Sequence, residues 1–277
     1  MRLSISNIAW DISEDDAVAE LLNRYQIDAI DIAPSKYFPE MKNASDSELL
    51  RIRDWWAQHG IEIYGMQSLL FGTTGLNVFG PPNVQDAMLD HLTAVCRIGS
   101  GLKTSRLVFG SPKNRDKTGI LDARAVDIAV NFFRLLGKIA DDFGQVICLE
   151  PNPTSYGANF MTTSVETADI VNRVAHPAIK MQLDTGSLTI NREEIQTLLP
   201  KYADMIGHVH ASEPQLATLG NGPTDHQSIF SVLEKYLPNH VVCVEMLTSK
   251  NEGHLISIDR ALGCATTLYR SQTGTDR

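Results

Sequence analysis

Four short apolar runs in this 277-residue chain each end on a side chain that can bind a metal ion or carry a proton. The four terminal residues are Glu150 after 146–149, Asp184 after 180–183, His210 after 205–209 and Glu245 after 241–244. Buried carboxylates are costly, and three of them close together would repel one another and take up protons. A divalent cation removes that cost. Three carboxylate groups and one imidazole suit Mn, Mg, Co or Zn, with coordination positions left for substrate oxygens.

The four residues can meet only if their strands lie side by side. Alternation and apolar runs predict eight strands, and helical periodicity with capping residues predicts a helix after each. Strands separated by helical crossovers are parallel, and eight such units in this length are typical of a (β/α)8 TIM barrel. A doubly wound sheet is the alternative, but no Gly-rich loop follows the first strand. The predicted strands are 2–8, 26–32, 61–66, 105–109, 146–149, 180–183, 205–209 and 241–244.

In such a barrel the carboxyl ends of the strands form the active site. Side chains alternate along a strand, so a residue and the one two positions before it share a face. His208 therefore points with His210 toward the barrel axis, and Cys148 and Cys243 point with the two glutamates. We interpret His208 as a residue of the barrel interior that supports the site, not as a ligand.

The composition limits the class of partner. A formal net charge of −9 argues against nucleic acid, which requires clustered Lys and Arg. No run reaches the ~18 apolar residues of a membrane span, and the four cysteines form no C-x-x-C pair. We expect a cytoplasmic protein with one domain over 1–277 and a frayed tail over 271–277.

Several motifs carry a resemblance that spans the whole chain. They are LEPNP at 149–153, LDTG at 183–186, HVHASEP at 208–214 and VEM at 244–246. Together with SISN at 4–7 they resemble the xylose isomerase-like TIM-barrel superfamily of sugar isomerases and epimerases, and the ketose 3-epimerase branch in particular.

The resemblance implies a role for each of the four residues. Glu150, Asp184, His210 and Glu245 would bind one divalent metal, with Mn as the first expectation. Glu150 and Glu245 would also be the acid–base pair that moves a proton through a cis-enediolate of a ketose or related polyol. The implied partner is a small carbohydrate, and members of the family tend toward dimers or tetramers.

One position departs from the family pattern. A histidine is expected three residues after Asp184, and this chain has Ser187 there. The change leaves the substrate open and disfavours an endonuclease IV-like phosphodiesterase. A metal-dependent lyase that dehydrates a keto-inositol remains an alternative. A sugar-binding barrel with a structural metal is a further one, although a binder does not need two acid–base glutamates.

Other residues at predicted strand ends are candidates for contacting substrate. An aromatic ring can stack on a sugar face, and amide, carboxylate, imidazole or guanidinium groups can hydrogen-bond to hydroxyls or an anion. Each has a structural alternative, such as packing of a loop or a helix start. The candidates are Trp10, Gln67, Arg115, Asn152, Glu213 and His226, with Tyr156 in the loop after Glu150.

Overall fold

The computed structural model describes residues 1–248 and 252–270, so the tail predicted over 271–277 lies outside the described residues. Eight strands pair in sequence order, each parallel to the next, and the last pairs with the first. The predicted (β/α)8 barrel is therefore confirmed. The strands are β1 Arg2–Ser6, β2 Ala29–Ile32, β3 Glu62–Met66, β4 Arg106–Phe109, β5 Val146–Leu149, β6 Ile179–Asp184, β7 Ile206–Ser212 and β8 Val241–Glu245.

Ten α-helices lie among the described residues, where the sequence predicted eight. The longer ones have one buried apolar face, which packs on the barrel, and one exposed polar face. Their bounds are α1 Asp15–Arg24, α2 Pro34–Tyr37, α3 Asp46–Gln58, α4 Pro82–Leu102, α5 Asp122–Asp142, α6 Ser164–Val174, α7 Thr185–Asn191, α8 Ile195–Tyr202, α9 His226–Tyr236 and α10 His254–Tyr269. None of the described helices is long and apolar enough to cross a membrane.

The segment after β6 differs from the prediction that a helix starts at Asn191. Helix α7 begins directly after Asp184 and ends at Asn191. Its N-cap is Asp184 itself, whose Oδ1 accepts a hydrogen bond from the Ser187 N–H at 2.6 Å. A carboxylate at the N-cap satisfies a free backbone donor and the positive end of the helix dipole. The helix predicted from Asn191 and Glu194 corresponds to α8, whose N-cap is Glu194, whereas α7 was not predicted.

The register of the barrel brings the predicted site residues to one level. Asp184 on β6 pairs with His210 on β7, and Ser212 on β7 pairs with Glu245 on β8. Phe109, the last residue of β4, pairs with Leu149, the last residue of β5. The residues that follow them, Gly110 and Glu150, therefore also lie side by side. Four consecutive strands thus end at the same edge of the barrel.

Candidate metal centre

The side chains of Glu150, Asp184, His210 and Glu245 converge at the carboxyl end of the barrel. Each offers a ligand atom, and these atoms all lie within 4.8 Å of one another. His210 Nδ1 is 3.4 Å from Glu150 Oε1 and 3.2 Å from Glu245 Oε2. All four residues are buried. We call these four residues the candidate metal centre.

Hydrogen bonds from neighbouring residues fix Asp184 and Glu245. Asp184 Oδ2 accepts from the Ser212 hydroxyl at 2.5 Å, in addition to the bond from Ser187 to its other oxygen. Glu245 Oε1 accepts from Gln67 Nε2 at 2.5 Å. These bonds orient the carboxylates before any ligand is bound, as is usual for residues around a metal site.

Glu150 is held on one side only. Its Oε2 accepts from Asn152 Nδ2 at 3.1 Å, whereas its Oε1 is buried without a hydrogen-bond partner among the described residues. A Cβ at Gly110 would lie 2.0 Å from Oε2, so the carboxylate occupies space that only glycine leaves open at that position. A buried carboxylate oxygen without a donor is unfavourable unless a cation or a ligand satisfies it.

Electrostatics in the centre reflect an excess of negative charge. Burial, together with the charges of Glu245 and Glu150, raises the pKa of Asp184 from 3.8 to about 7. Burial acts to lower the pKa of His210, but the two glutamates outweigh it and raise that pKa well above its ordinary value. Burial acts to raise the pKa of Glu245, but His210 outweighs it and the pKa is lowered. A divalent cation fits this donor set, because it would neutralise the excess charge and satisfy the free oxygen of Glu150.

A cavity of about 960 Å³ opens at the centre. Three of the carboxylates line it, and so do Gln67 and Asn152, two of the residues that the sequence predicted to contact substrate. Ser187 lines it as well. The remaining wall comes mainly from the loops after β3 and β4, namely 68–76 and 110–114, with Val108, Phe109, Tyr156 and Leu216.

Trp10 does not lie in this cavity, which corrects the expectation that it stacks on a sugar. Its side chain has no exposed surface, and its Nε1 donates to Asp15 Oδ1 at 2.7 Å. The indole packs edge-on against Trp56 with ring centroids 6.5 Å apart. The strand end at β1 turns into a short 3₁₀ segment, which carries Trp10 into the core between the barrel and α3.

Glu213 and His226 are also structural, where the sequence suggested contact with substrate. Glu213 accepts from the backbone N–H groups of Gly220 and Thr224, both at 3.1 Å. His226 Nε2 is 3.1 Å from Glu213 Oε1, and its Nδ1 is 2.6 Å from the hydroxyl of Tyr269. Both residues are buried and neither lines the cavity. Glu213 and His226 thus connect the loop after β7 to Tyr269 of α10 by hydrogen bonds.

Arg115 is fully buried, unlike a charged side chain on a solvent-exposed loop. It has no exposed surface, and its Nη2 donates to Asn152 Oδ1. Burial lowers the pKa of Arg115 to about 10, although the charge of Glu150 opposes the shift. The side chain does not line the cavity, so its expected contact with substrate is not supported by this placement.

Sequence reasoning missed a second polar group, which lies in the barrel interior on the amino-terminal side of the centre. Asp31 Oδ2 is 2.7 Å from His208 Nε2, and Asp31 Oδ1 accepts from the Ser4 hydroxyl at 3.2 Å. Cys243 adjoins them. We call Ser4, Asp31, His208 and Cys243 the lower cluster. The placement of His208 agrees with its interpretation as an interior residue.

Ser212 was also missed, although a signal was present. It lies two residues after His210 on β7, so alternation alone puts both side chains on one face of the strand. Asp31 gave a weaker signal, an acid between two isoleucines of β2. Its partner His208 is 177 positions away, which only the closed barrel brings close.

Comparison with known proteins adds an independent result. A family model described as a xylose isomerase-like TIM barrel matches residues 19–262. The chain belongs to this family. The resemblance inferred from the strand-end motifs is thereby confirmed, including the likeness to ketose 3-epimerases, which are among the structural neighbours.

Three solved structures show how far the xylose isomerase-like fold is shared. D-psicose 3-epimerase from Clostridium cellulolyticum H10, solved with D-tagatose, has a TM-score of 0.81 at 18% identity, with 98% of this chain and 100% of that chain covered. The 3-keto-D-glucoside 4-epimerase YcjR from E. coli has 0.76 at 13% identity, with 95% and 100% covered. The IOLI protein with a zinc atom has 0.76 at 18% identity, with 97% and 98% covered. At these identities the likeness concerns the fold.

Proposed function

We propose that this protein is a divalent-metal-dependent sugar isomerase or epimerase that acts on a ketose or a related polyol. The observation that carries the proposal is the convergence of three carboxylates and one imidazole within 4.8 Å at a cavity of about 960 Å³. The family membership supports it, as do the names of the structural neighbours, which include a ketose 3-epimerase and a keto-glucoside 4-epimerase.

Glu150, Asp184, His210 and Glu245 would hold the cation, with Mn as our first choice. When bound, a divalent cation polarises a carbonyl group and balances negative charge that develops on the substrate oxygens. The oxygen-rich donor set with one imidazole also accepts Mg, Co or Zn.

The two glutamates are the proton carriers in this proposal. Glu150 and Glu245 both approach His210 Nδ1, at 3.4 Å and 3.2 Å, and in this proposal the two carboxylates act on opposite faces of one substrate carbon. One glutamate removes the proton next to the carbonyl, and the electron pair moves into the carbonyl to give an enediolate. The other glutamate returns a proton. Return to the opposite face of the same carbon is epimerisation. Return to the neighbouring carbon, with transfer of the hydroxyl proton to the former carbonyl oxygen, is aldose–ketose isomerisation.

Residues around the glutamates prepare them for this work. The Gln67 amide holds Glu245 and the Asn152 amide holds Glu150, each by one oxygen, and the second oxygen of each carboxylate points toward His210 Nδ1. Ser187 stands where the family has a histidine and lines the cavity. It offers a hydroxyl and more room than an imidazole, so we expect the substrate to differ from that of the ketose 3-epimerases.

A screen of ketoses and keto-inositols with the Mn-loaded protein in deuterated water tests the proposal. Incorporation of deuterium at the carbon next to the carbonyl is the expected result, and conversion to a product of unchanged mass apart from deuterium identifies isomerisation or epimerisation. A product lighter by one water would instead identify a dehydratase. Absence of exchange with every substrate, in protein shown to hold the metal, would contradict the proposed proton transfer.

A further inference from the structure

We propose that Arg115 is a positioning residue that fixes the orientation of the Glu150 carboxylate through the side chain of Asn152. The inference rests on the proposed function, since it assigns Glu150 to the metal and to proton transfer. It concerns a residue that neither lines the cavity nor belongs to the four candidate ligands.

Three side chains form a continuous chain of contacts. Arg115 Nη2 donates to Asn152 Oδ1, and Asn152 Nδ2 donates to Glu150 Oε2 at 3.1 Å. The remaining oxygen of the carboxylate, Oε1, then faces His210 Nδ1 at 3.4 Å and the centre of the donor set. The chain of contacts thus determines which oxygen of Glu150 is offered to the metal.

The chemistry of an amide makes this arrangement directional. A guanidinium group has donors only, so it can be approached only by the oxygen end of Asn152. The amide nitrogen must then face Glu150, which can only accept. Without Arg115 the amide could turn around and place its oxygen against the carboxylate, where the two acceptors would repel each other. Arg115 therefore selects the amide orientation that supports Glu150.

Asn152 is the one hydrogen-bond partner of the Arg115 guanidinium among the described residues. Arg115 has no exposed surface, and its Nε and Nη1 meet no hydrogen-bond acceptor in the part of the chain that the structure describes. A buried cation is costly unless an opposite charge offsets it. Glu150 supplies that charge, and Asn152 lies between the two. Lys113, in contrast, is exposed at the cavity and is the cation of this loop that a substrate anion would meet.

The test compares Arg115→Met, Asn152→Leu and the double variant with the wild type. Mn²⁺ affinity is measured by calorimetry on metal-stripped protein, and kcat and KM are measured by solvent-deuterium exchange. Residues that orient a metal ligand typically contribute about 10–100-fold in metal affinity or activity. We expect a loss of that size in both single variants, in Mn²⁺ affinity and in kcat, with KM nearly unchanged in Arg115→Met, because Arg115 does not line the cavity. Because the residues act in series, the double variant should be no worse than the more damaging single variant.

Arg106→Met is the matched control. Arg106, at the start of β4, is half-buried where Arg115 is fully buried, and it donates to the carbonyl oxygens of Gly207 and Ser105. Its loss should leave the Mn²⁺ affinity unchanged. Arg115→Lys keeps the charge without the planar fork and should recover part of the loss. Should Arg115→Met fail to fold, Asn152→Leu decides the question, because it breaks both contacts and leaves the cation in place.

The outcomes separate this inference from the proposed function. Unchanged Mn²⁺ affinity and kcat in folded Asn152→Leu would overturn the positioning role. So would an increase in KM alone in Arg115→Met, since that result would identify a substrate contact. A third outcome is that the wild type exchanges no substrate proton, while Mn²⁺ affinity is lower in both variants than in the wild type. That outcome would overturn the proposed reaction and support the positioning of Glu150.

Discussion

The barrel contains two groups of acid and imidazole side chains, one above the other along β7. The candidate metal centre includes His210, and the lower cluster includes His208, two residues earlier on the same strand. The possible ligand atoms of the candidate metal centre lie within 4.8 Å of one another. The same holds for the ligand atoms of Asp31, His208 and Cys243 when His210 is included with them. Proximity of ligand types therefore does not distinguish a metal site from a structural cluster in this molecule.

The pairing of the carboxylate oxygens distinguishes them, although His208 Nδ1 in the lower cluster is also without a partner among the described residues. In the lower cluster one carboxylate, Asp31, meets one imidazole and one hydroxyl, and both of its oxygens are satisfied. Burial acts to raise the pKa of Asp31, but His208 outweighs it and the pKa is lowered, so the carboxylate is stable as an anion. In the metal centre three carboxylates share one imidazole, Glu150 keeps a free oxygen, and a cavity adjoins the group. Unpaired charge beside a cavity is the better indicator of function.

The largest effect that separates the two groups concerns turnover. We expect Glu150→Gln and Glu245→Gln each to lower kcat by at least ~10²–10⁴-fold, because each removes a proton carrier while keeping the side-chain shape. Some metal should be retained, since three other ligands remain. Deuterium exchange measures turnover and calorimetry measures bound Mn²⁺. Near wild-type exchange in both variants would reject the assignment of the acid–base pair.

The same kind of change in the lower cluster should act on stability instead. Asp31→Ala leaves a buried imidazole without its hydrogen-bond partner, which is expected to lower the free energy of unfolding by about 1–3 kcal/mol. Asp31→Asn retains an acceptor and should recover part of it. Urea unfolding gives the free energies, and exchange assays on the folded variants should show that most of the turnover remains. If the Asp31 variants lost as much turnover as Glu245→Gln without losing stability, the lower cluster would be part of the same functional site as the candidate metal centre.

Two glycines provide a sharper version of this contrast. A Cβ at Gly110 would lie 2.0 Å from Glu150 Oε2, and a Cβ at Gly65 would lie 2.3 Å from Asp31 Oδ2. Gly110→Ala should therefore displace the metal ligand and reduce Mn²⁺ affinity and kcat. Gly65→Ala should displace Asp31 and lower stability by about 1–3 kcal/mol, the usual cost of overpacking. Parallel thermal unfolding and calorimetry on both variants measure the two effects, and equal effects on metal affinity would contradict the distinction.

The sequence predicted the barrel and the four residues of the candidate metal centre from short-range patterns. Glu150, Asp184, His210 and Glu245 each follow an apolar run, and parallel strands place such ends at one edge. The supporting contacts depend on long-range packing. Trp10 also follows a strand, but the chain turns inward there, and the Asp31–His208 pair joins residues 177 positions apart. Patterns along the chain do not encode which loop residue faces the cavity.

A further difference between the two groups concerns the dependence of metal affinity on pH. The proton on Asp184, whose pKa is about 7, must leave before the carboxylate can bind a cation, and the raised pKa of His210 adds a second proton. Mn²⁺ affinity should therefore rise with pH, by about tenfold per pH unit for each displaced proton. Calorimetry on metal-stripped protein in buffers of different ionisation enthalpy measures both the affinity and the number of protons released.

Stability of the metal-free protein should change in the opposite direction. The folded-state pKa of Asp184 lies above its ordinary value of 3.8, so its contribution is fully present below that value and is lost as the pH rises through about 7. His210 acts with the same sign, whereas the lowered pKa of Glu245 matters only in acid, below its ordinary value of 4.5. Thermal unfolding from about pH 5 to about pH 8 should show falling stability without metal and a growing gain from Mn²⁺. Asp31→Asn should keep this profile, because Asp31 is hydrogen-bonded to Ser4 and His208 and is not one of the four candidate ligands. If Asp31→Asn abolished the profile and Asp184→Asn did not, the unpaired charge would belong to the lower cluster, and the comparison would be reversed.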